Sequence, residues 1–222
     1  MLPLVIHQIV GPNTNDVVNT CLESWHSLKA KGFDIKIWDD FLLEEFIRLN
    51  YPKALEPFRN ATNHAEAADI GRYLIVYHYG GHYFDWDIQL LDENLFLSLC
   101  LENPTGYLLV DPTDGSIASE AFASEPMNGY LNAVVDQIII EYHARPNRDW
   151  NTLYYSGPFR MRETLSLFPA TTQNILEVKS VFLYDYHEIK EMPEPRDPRP
   201  MIHYWLHSWI PVAKEHVDKI NM

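Results

Sequence analysis

The apolar and polar positions in the first fifty residues predict alternating strands and helices. Residues 5–10 are mostly apolar and precede a Gly-Pro pair, which predicts a short buried strand. Residues 15–31 then place apolar side chains at helical spacing, and Gly32 is typical of the position after a helix. Residues 33–37 alternate as a strand does, and a helix is predicted over residues 41–49. This β-α-β-α order favours an α/β domain with a largely parallel sheet.

The middle of the chain predicts a helix that leads directly into a buried strand. Asn63 and Glu66 have the spacing of a capping box, which begins a helix. Gly80 and Gly81 end the helix, and the mostly apolar residues 83–91 predict a strand. The apolar stripe of the helix consists of Ala67, Ile70, Leu74 and Tyr77. We therefore expect one face of this helix to pack on the core.

The second half of the chain has fewer regular patterns. A short strand is predicted over residues 107–110, followed by a turn over residues 111–115. Helical patterns cover residues 130–143 and 159–167. The proline-rich residues 192–200 exclude regular structure. The aromatic and histidine-rich residues after them are not typical of a disordered tail.

Composition and charge restrict the class of protein. The 222 residues include 46% apolar and 22% charged residues, which is typical of a soluble globular protein. The net charge of −14 argues against a nucleic-acid partner, because such binders present a basic surface. No apolar run is long enough to cross a bilayer, and the first residues lack the basic start of a signal peptide. We expect a cytoplasmic protein in which Cys21 and Cys100 are reduced.

Two aspartates in the predicted strand suggest a cation site. Asp85 and Asp87 are two residues apart, so both side chains would project from the same strand face. Two carboxylates on a partly buried face repel each other and lose solvation, and a cation relieves both costs. Oxygen ligands favour magnesium, calcium or manganese over zinc. The alternative is a pair of strand-end aspartates bonded to backbone amides, which is the commoner explanation of an isolated Asp-x-Asp.

A second charged pair precedes these aspartates on the predicted helix. Asp69 and Arg72 are three residues apart and share one helix face. An exposed ion pair of this kind would contribute less than about 1 kcal/mol to stability. Few other charges occur on this helix after Glu66, so the pair also suggests the lining of a cleft. The succession Asp-x-x-Arg, Gly-Gly-x-Tyr and Asp-x-Asp is unlikely to arise by chance, and it favours the cleft.

These motifs resemble those of a known family. Residues 68–74 and 79–87 are similar to the DXD-containing glycosyltransferases of the Och1-like mannosyltransferase group, family 32. The same block resembles the catalytic domain of the clostridial glucosylating toxins. Shorter similarities lie at residues 4–9, 35–40, 156–158 and 202–205, and at Ser208 and Trp209. The resemblance covers nearly the whole chain.

The resemblance implies a fold, a domain organisation and an activity. The implied fold is GT-A, a Rossmann-like nucleotide-sugar-binding fold with a mixed, mainly parallel central sheet. Residues 1–222 would form one domain, with residues 1–115 binding the nucleotide sugar and residues 116–222 forming the acceptor side. The implied activity is metal-dependent transfer of a hexose, with retention of configuration. A UDP-sugar is the first candidate donor, and the acceptor would be a glycan, a glycolipid such as a bacterial surface polysaccharide precursor, or a protein hydroxyl.

The resemblance also implies roles for individual residues. Asp69, Arg72 and Asp87 are the implied catalytic residues, and Asp85, Asp87 and His203 would hold Mn²⁺ or Mg²⁺. Without the resemblance, a single histidine such as His203 is more often not a ligand. The implied donor-binding residues are His7, Gln8, Asp69, Arg72, Tyr83, Asp85, Trp86, Ser208 and Trp209.

The sequence departs from the family pattern at two positions, and two alternative functions are also compatible with it. Glu120 stands where the family often has the asparagine of an Asn-x-Phe motif, and His207 replaces a residue that is commonly small. The first alternative function is a non-catalytic nucleotide-sugar or glycan-binding relative. A phosphohydrolase is less favoured, because no second cluster of ligands for a paired metal is evident. Peripheral membrane association and a homo-oligomer are both compatible with the sequence, and Trp205 is expected to pack in the core.

Overall fold

The computed structural model describes residues 2–145, 150–168, 172–195 and 197–206. His207, Ser208 and Trp209, which the sequence analysis singled out, lie outside these described residues. The helices are α1 (Asp16–Ser24), α2 (Asp40–Asn50), α3 (Pro52–Arg59), α4 (His64–Tyr79), α5 (Glu93–Glu102), α6 (Gly129–Ala144), α7 (Thr152–Tyr155), α8 (Pro158–Leu167) and α9 (Val178–Val181). The strands are β1 (Val5–Ile9), β2 (Asp34–Trp38), β3 (Gly81–Phe84), β4 (Ile88–Leu90), β5 (Gly106–Val110), β6 (Ile117–Ser124), β7 (Asn174–Glu177) and β8 (Met201–His203).

The main sheet is mixed and mostly parallel, as predicted. Its six strands lie in the order β2-β1-β3-β6-β5-β7. β1 is parallel to β2 and β3, and β5 is parallel to β7. β6 is antiparallel to both of its neighbours. A second sheet consists of β4 and β8, which pair in the antiparallel sense.

Helices cover both faces of the main sheet. Ile6 and Ile9 belong to the same strand but to different core clusters, because an odd separation along a strand places side chains on opposite faces. The Ile9 cluster packs against α2, α3, α4 and α6. The Ile6 cluster packs against Trp25 and Leu28 of a 3₁₀ helix and Phe96 of α5. The sheet is therefore the middle layer of a three-layer α/β/α domain.

The predicted N-terminal elements are present with one change. The helix expected over residues 15–31 is α-helical only to Ser24 and continues as a 3₁₀ helix over Trp25–Lys31. Asn15 caps it by accepting a hydrogen bond from the Val18 N–H. Gly32 follows with φ of 91°, a left-handed conformation that few other residues adopt.

The strand expected over residues 83–91 is broken at the two aspartates. It forms β3 and β4, which belong to different sheets, and residues 85–87 connect them. Asp85 N–H makes the last bond of the main sheet, to the Glu120 carbonyl, and the Ile88 N–H then donates to the Asp85 carbonyl at 3.1 Å. The prediction that both carboxylates project from one strand face was wrong, because β8 draws the chain after Asp87 into another sheet.

Helix α4 is buried on almost every side. The sequence predicts a single apolar stripe, but the whole segment from Ala68 to Val76 is buried between the sheet and α2, α3 and α6. A Cβ added at Gly71 would lie 3.1 Å from the side chain of Leu43, so glycine allows α2 to approach α4 closely. Asp69 and Arg72 are consequently buried and do not form a surface ion pair.

Candidate active site

A cavity of about 440 Å³ lies at the carboxyl ends of β1 and β3. In open α/β sheets, ligands bind in the crevice outside these strand ends. Titratable side chains reach the cavity from α4, the β3–β4 turn, β6 and β8, and among them are Asp69, Arg72, Asp85, Asp87, Glu120 and His203. Others that line it are Asp111, Asp114, Asp185, His64 and His187.

Arg72 is the centre of the charged network on the helix side of the cavity. Its guanidinium contacts the Asp69 carboxylate at 3.3 Å and the Asp85 carboxylate at 3.2 Å. It also donates a hydrogen bond of 3.0 Å to the carbonyl of Ser119 and lies 4.9 Å from the centre of the Tyr83 ring. Arg72 is 5% exposed, and its Nε–H has no partner among the described residues. The network therefore holds the guanidinium in place and leaves one donor unused.

Asp69 is held between Arg72 and a serine from a distant part of the chain. Ser156 Oγ donates a hydrogen bond of 2.7 Å to the Asp69 carboxylate. Burial raises the pKa of Asp69 to about 6, although the Arg72 charge and the Ser156 hydrogen bond partly oppose the shift. Asp69 thus carries a charge at neutral pH at a considerable desolvation cost.

Asp85 contacts Arg72 on one side and lies close to Asp87 on the other. The Tyr83 hydroxyl donates a hydrogen bond of 2.6 Å to it. Burial raises the pKa of Asp85, and the neighbouring Asp87 charge adds to this effect while Arg72 opposes it. Asp85 is the more accessible of the two aspartates, with 24% of its side chain exposed.

Asp87 and His203 form a buried pair across the β4–β8 sheet. His203 Nε2 lies 3.3 Å from one oxygen of Asp87, and the Leu206 N–H donates to the other at 2.8 Å. Burial alone would raise the pKa of Asp87, but the His203 charge and these hydrogen bonds outweigh it and lower the value. In the same way, Asp87 outweighs the effect of burial on His203 and raises the pKa of its imidazole.

Asp85, Asp87 and His203 can hold a divalent cation. One ligand atom from each residue lies within 4.8 Å of the others. Two carboxylate oxygens and an imidazole nitrogen suit Mn²⁺ or Mg²⁺. Burial of two adjacent carboxylates is also costly without a positive charge nearby. The predicted metal ligands therefore come together in a geometry that fits the ion.

Two predicted donor-binding residues do not line the cavity. His7 and Gln8 are fully buried and do not line the cavity, whereas Ile9 from the same strand does. His7 lies between Trp38 Nε1–H, which donates to its Nδ1 at 3.2 Å, and the Gly80 carbonyl, which accepts from Nε2 at 3.0 Å. The structure does not bring His7 and Gln8 to the site, because β1 is an interior strand covered on both faces.

The other predicted donor-binding residues line the cavity where the structure describes them. Tyr83 and Trp86 do so, together with Asp69, Arg72 and Asp85. Trp205 also lines it, with its ring 4.1 Å from that of His203, so it is not simply a core residue. The sequence analysis gave no role to several further lining residues, among them Ser119, Asp185, Tyr186 and His187. No local pattern distinguishes them: Ser119 lies on β6, and the other three follow α9 in one connecting segment.

Comparison with known proteins matches part of the chain to a described family. Residues 15–104 match the family model described as a glycosyltransferase sugar-binding region containing a DXD motif. The chain is 24% identical over 196 residues to inositol phosphoceramide mannosyltransferase 1 of Schizosaccharomyces pombe, covering 82% of this chain and 57% of that protein. It is 36% identical over 93 residues to a mannosyl phosphorylinositol ceramide synthase of Saccharomyces cerevisiae, covering 39% of this chain and 23% of the other. The chain therefore covers only part of each relative, 57% of the first and 23% of the second.

Solved structures support the fold. A glycosyltransferase involved in the glycosylation of the major capsid of PBCV-1 aligns with a TM-score of 0.57 and 13% sequence identity, covering 98% of each chain. At this identity the likeness concerns the fold alone. Residues 15–104 are therefore similar to the sugar-binding region of DXD-containing glycosyltransferases, within a chain of GT-A fold that resembles mannosyltransferases in sequence.

Proposed function

We propose that this protein is a metal-dependent glycosyltransferase that transfers a hexose from a nucleoside diphosphate sugar to a hydroxyl of a glycan or glycolipid. The observation that carries the proposal is the convergence of Asp85, Asp87 and His203 beside the buried Asp69–Arg72 pair. These groups come from three separate elements and face one cavity that is large enough for a small ligand. A binding module would have no need for a cation next to the leaving group of a donor.

Each group has a role that follows from its position. Asp85, Asp87 and His203 would hold the divalent ion, which would supply positive charge and Lewis acidity to stabilise a departing diphosphate. Arg72 lines the cavity with a guanidinium held in place by its neighbours, which suits donation to a phosphate or a sugar hydroxyl. Asp69 can accept a hydrogen bond from a sugar hydroxyl, and Ser156 and Arg72 keep its carboxylate in place.

Retention of configuration is proposed together with this role of the diphosphate. If the diphosphate itself assists front-face attack by the acceptor, no carboxylate nucleophile is required. Ser208 and Trp209 keep their predicted donor-binding role, since both lie outside the described residues.

The chemistry of donor and acceptor is proposed from the relatives. Their names record mannosyl transfer, inositol phosphoceramide and the synthesis of mannosyl phosphorylinositol ceramide, so mannose is a candidate sugar and a glycolipid a candidate acceptor. UDP-sugars and a bacterial surface polysaccharide remain the expectations drawn from the sequence. Within the described residues, no helix combines the length and apolar character needed to cross a bilayer. The cytoplasmic location, the peripheral membrane association and the homo-oligomer stay predictions.

Thermal unfolding with candidate donors tests the proposal. UDP-glucose, UDP-galactose, UDP-N-acetylglucosamine and GDP-mannose would each be added with MnCl₂ or with EDTA. A ligand at a hundred times its Kd stabilises the folded state by about 2.7 kcal/mol, which a melting curve resolves. We expect a manganese-dependent rise in Tm with one nucleotide family. A shift that persists in EDTA would refute metal dependence, and no shift with any donor would refute the assignment as a donor-binding enzyme.

A transfer assay separates the enzyme from a non-catalytic relative. The donor that raises the Tm would be incubated with glycolipid extracts, and release of the nucleoside diphosphate would be measured. We expect release in the wild type and none in Asp87→Asn. Donor binding without transfer or hydrolysis would favour the alternative, a nucleotide-sugar-binding protein that has lost turnover.

A further inference from the structure

Glu120 is a cavity residue to which the proposed mechanism gives no role. It lies on β6 beside Asp85, whose N–H donates a hydrogen bond of 2.9 Å to the Glu120 carbonyl. Its side chain is 18% exposed and faces the cavity. Within the described residues, no lysine or arginine forms an ion pair with Glu120, and the basic group that approaches it is His203. A carboxylate in such a place needs a partner, because burial without one is costly.

The two ring nitrogens of His203 face different carboxylates. Nε2 lies 3.3 Å from Asp87, on the side of the proposed cation. Nδ1 lies 3.8 Å from the Glu120 carboxylate and has no hydrogen-bond partner among the described residues. A neutral imidazole can bind a metal ion through Nε2 only when its proton is on Nδ1. The proton on Nδ1 would then point toward Glu120.

We infer that Glu120 is a positioning residue for the proposed metal site: it accepts the Nδ1 proton of His203 and so presents Nε2 to the cation. The inference rests on the proposed function, since it assumes that Asp85, Asp87 and His203 hold an ion. The 3.8 Å separation exceeds a direct hydrogen bond, and a small movement of the glutamate side chain would close it, since Nδ1 is buried away from solvent. Carboxylates that orient a ligating histidine in this way also fix its tautomer.

Two other roles for Glu120 predict different behaviour. A carboxylate that binds the ion directly, or that only adds negative charge near it, acts without His203. A carboxylate that contacts the donor sugar affects donor binding and leaves the affinity for the ion alone. The three roles can therefore be distinguished by asking whether a change at Glu120 alters the affinity for the ion, and whether that change in affinity requires His203.

A double-mutant cycle on metal affinity makes this comparison. Wild type, Glu120→Gln, His203→Ala and the double variant would be titrated with MnCl₂, with and without UDP, and free Mn²⁺ would be followed by electron paramagnetic resonance. We expect Glu120→Gln to weaken Mn²⁺ binding about 10-fold or more, which is typical when the partner of a ligating histidine is removed. In the His203→Ala background the same change should have less than about a 2-fold effect, because coupled residues are not additive.

Asp111→Asn provides the matched control. Asp111 lines the same cavity, and its removal deletes one negative charge while asparagine can still accept the hydrogen bond from Thr113 N–H. We expect a change of less than about 3-fold in Mn²⁺ affinity. An equal loss in Glu120→Gln and Asp111→Asn would show a general charge effect and overturn the inference.

The state of the imidazole gives a readout that does not depend on activity. In protein with labelled histidine and saturating Mg²⁺, ¹⁵N shifts should place the His203 proton on Nδ1 in the wild type, and Glu120→Gln should shift this resonance. Equal losses of affinity in both backgrounds, or an unchanged resonance, would overturn the role of Glu120. Wild-type protein that binds neither ion, with or without UDP, would overturn the metal site itself, and circular dichroism would verify that each variant is folded.

Discussion

Replacing Asp69 by asparagine should make the protein more stable and less active at neutral pH. The Asp69 carboxylate is 4% exposed, and burial raises its pKa from 3.8 to about 6. Asparagine has nearly the same shape, can still accept the Ser156 hydrogen bond, and never carries the buried charge. The variant removes the desolvation cost and the negative charge that we propose for donor binding.

The magnitude follows from the pKa of Asp69 in the two states. The shift from 3.8 to about 6 corresponds to about 3 kcal/mol, at 1.36 kcal/mol per pH unit. Between these pH values the folded state binds more protons than the unfolded state, so this group lowers the free energy of unfolding as pH rises. The loss begins as the unfolded carboxyl ionises near pH 4 and is complete above the folded pKa. Asp69→Asn should therefore gain up to about 3 kcal/mol relative to wild type between pH 4 and pH 7.5.

Urea unfolding of both proteins at half-unit pH steps measures this difference. Subtraction of the two curves removes the contributions of other titrating groups, provided that they are common to both proteins. Asp136→Asn is the matched control, because Asp136 is exposed on α6 and its replacement should leave the difference flat. A flat difference for Asp69→Asn, or a variant that is less stable than wild type at pH 7.5, would refute the argument from burial.

Three further variants test other parts of the network. Asp87→Asn should retain the Leu206 hydrogen bond and the fold but abolish manganese-dependent stabilisation by the donor; an unchanged shift in Tm would contradict this. Arg72→Met leaves the Asp69 and Asp85 carboxylates without their shared cation and should cost about 3–5 kcal/mol in urea unfolding at pH 7.5, so a near-neutral effect would argue against the buried pair. Tyr83→Phe removes the donor to Asp85 and should cost about 1.5–3 kcal/mol, with Tyr77→Phe, which is less buried, as the comparison.

The sequence predicted those elements whose pattern is local. β1, β2 and α4 follow from their own apolar residues, capping residues and following glycines. β6 was not predicted, since Ala118, Ala121 and Ala123 have low strand propensity, and their burial between β3 and β5 decides their conformation. The break between β3 and β4 was also hidden, because it depends on pairing with β8, more than one hundred residues later.

The sequence predicted those residues of the candidate site that belong to recognisable motifs. Asp69, Arg72, Asp85 and Asp87 lie in adjacent elements, and the family resemblance links them to His203. Ser156 contacts Asp69 across 87 positions of sequence, so no local pattern indicates that partnership. His7 and Gln8 do not line the cavity for a related reason, since the helices that bury β1 come from elsewhere in the chain. The burial of a strand residue depends on how the sheet and helices pack together, which a local sequence pattern does not show.

The cavity is lined by more carboxylates than basic groups, which lowers stability and favours binding of a cation. Among its described lining residues there is a single arginine, Arg72, and carboxylates outnumber it: they are Asp69, Asp85, Asp87, Asp111, Asp114, Glu120 and Asp185. Burial raises the pKa of Asp69, Asp85 and Glu120, so keeping these carboxylates ionised in the cavity is costly. A bound divalent ion would offset that cost by stabilising the ionised forms. Metal affinity should therefore fall as pH drops, because protons and the ion compete for the same carboxylates.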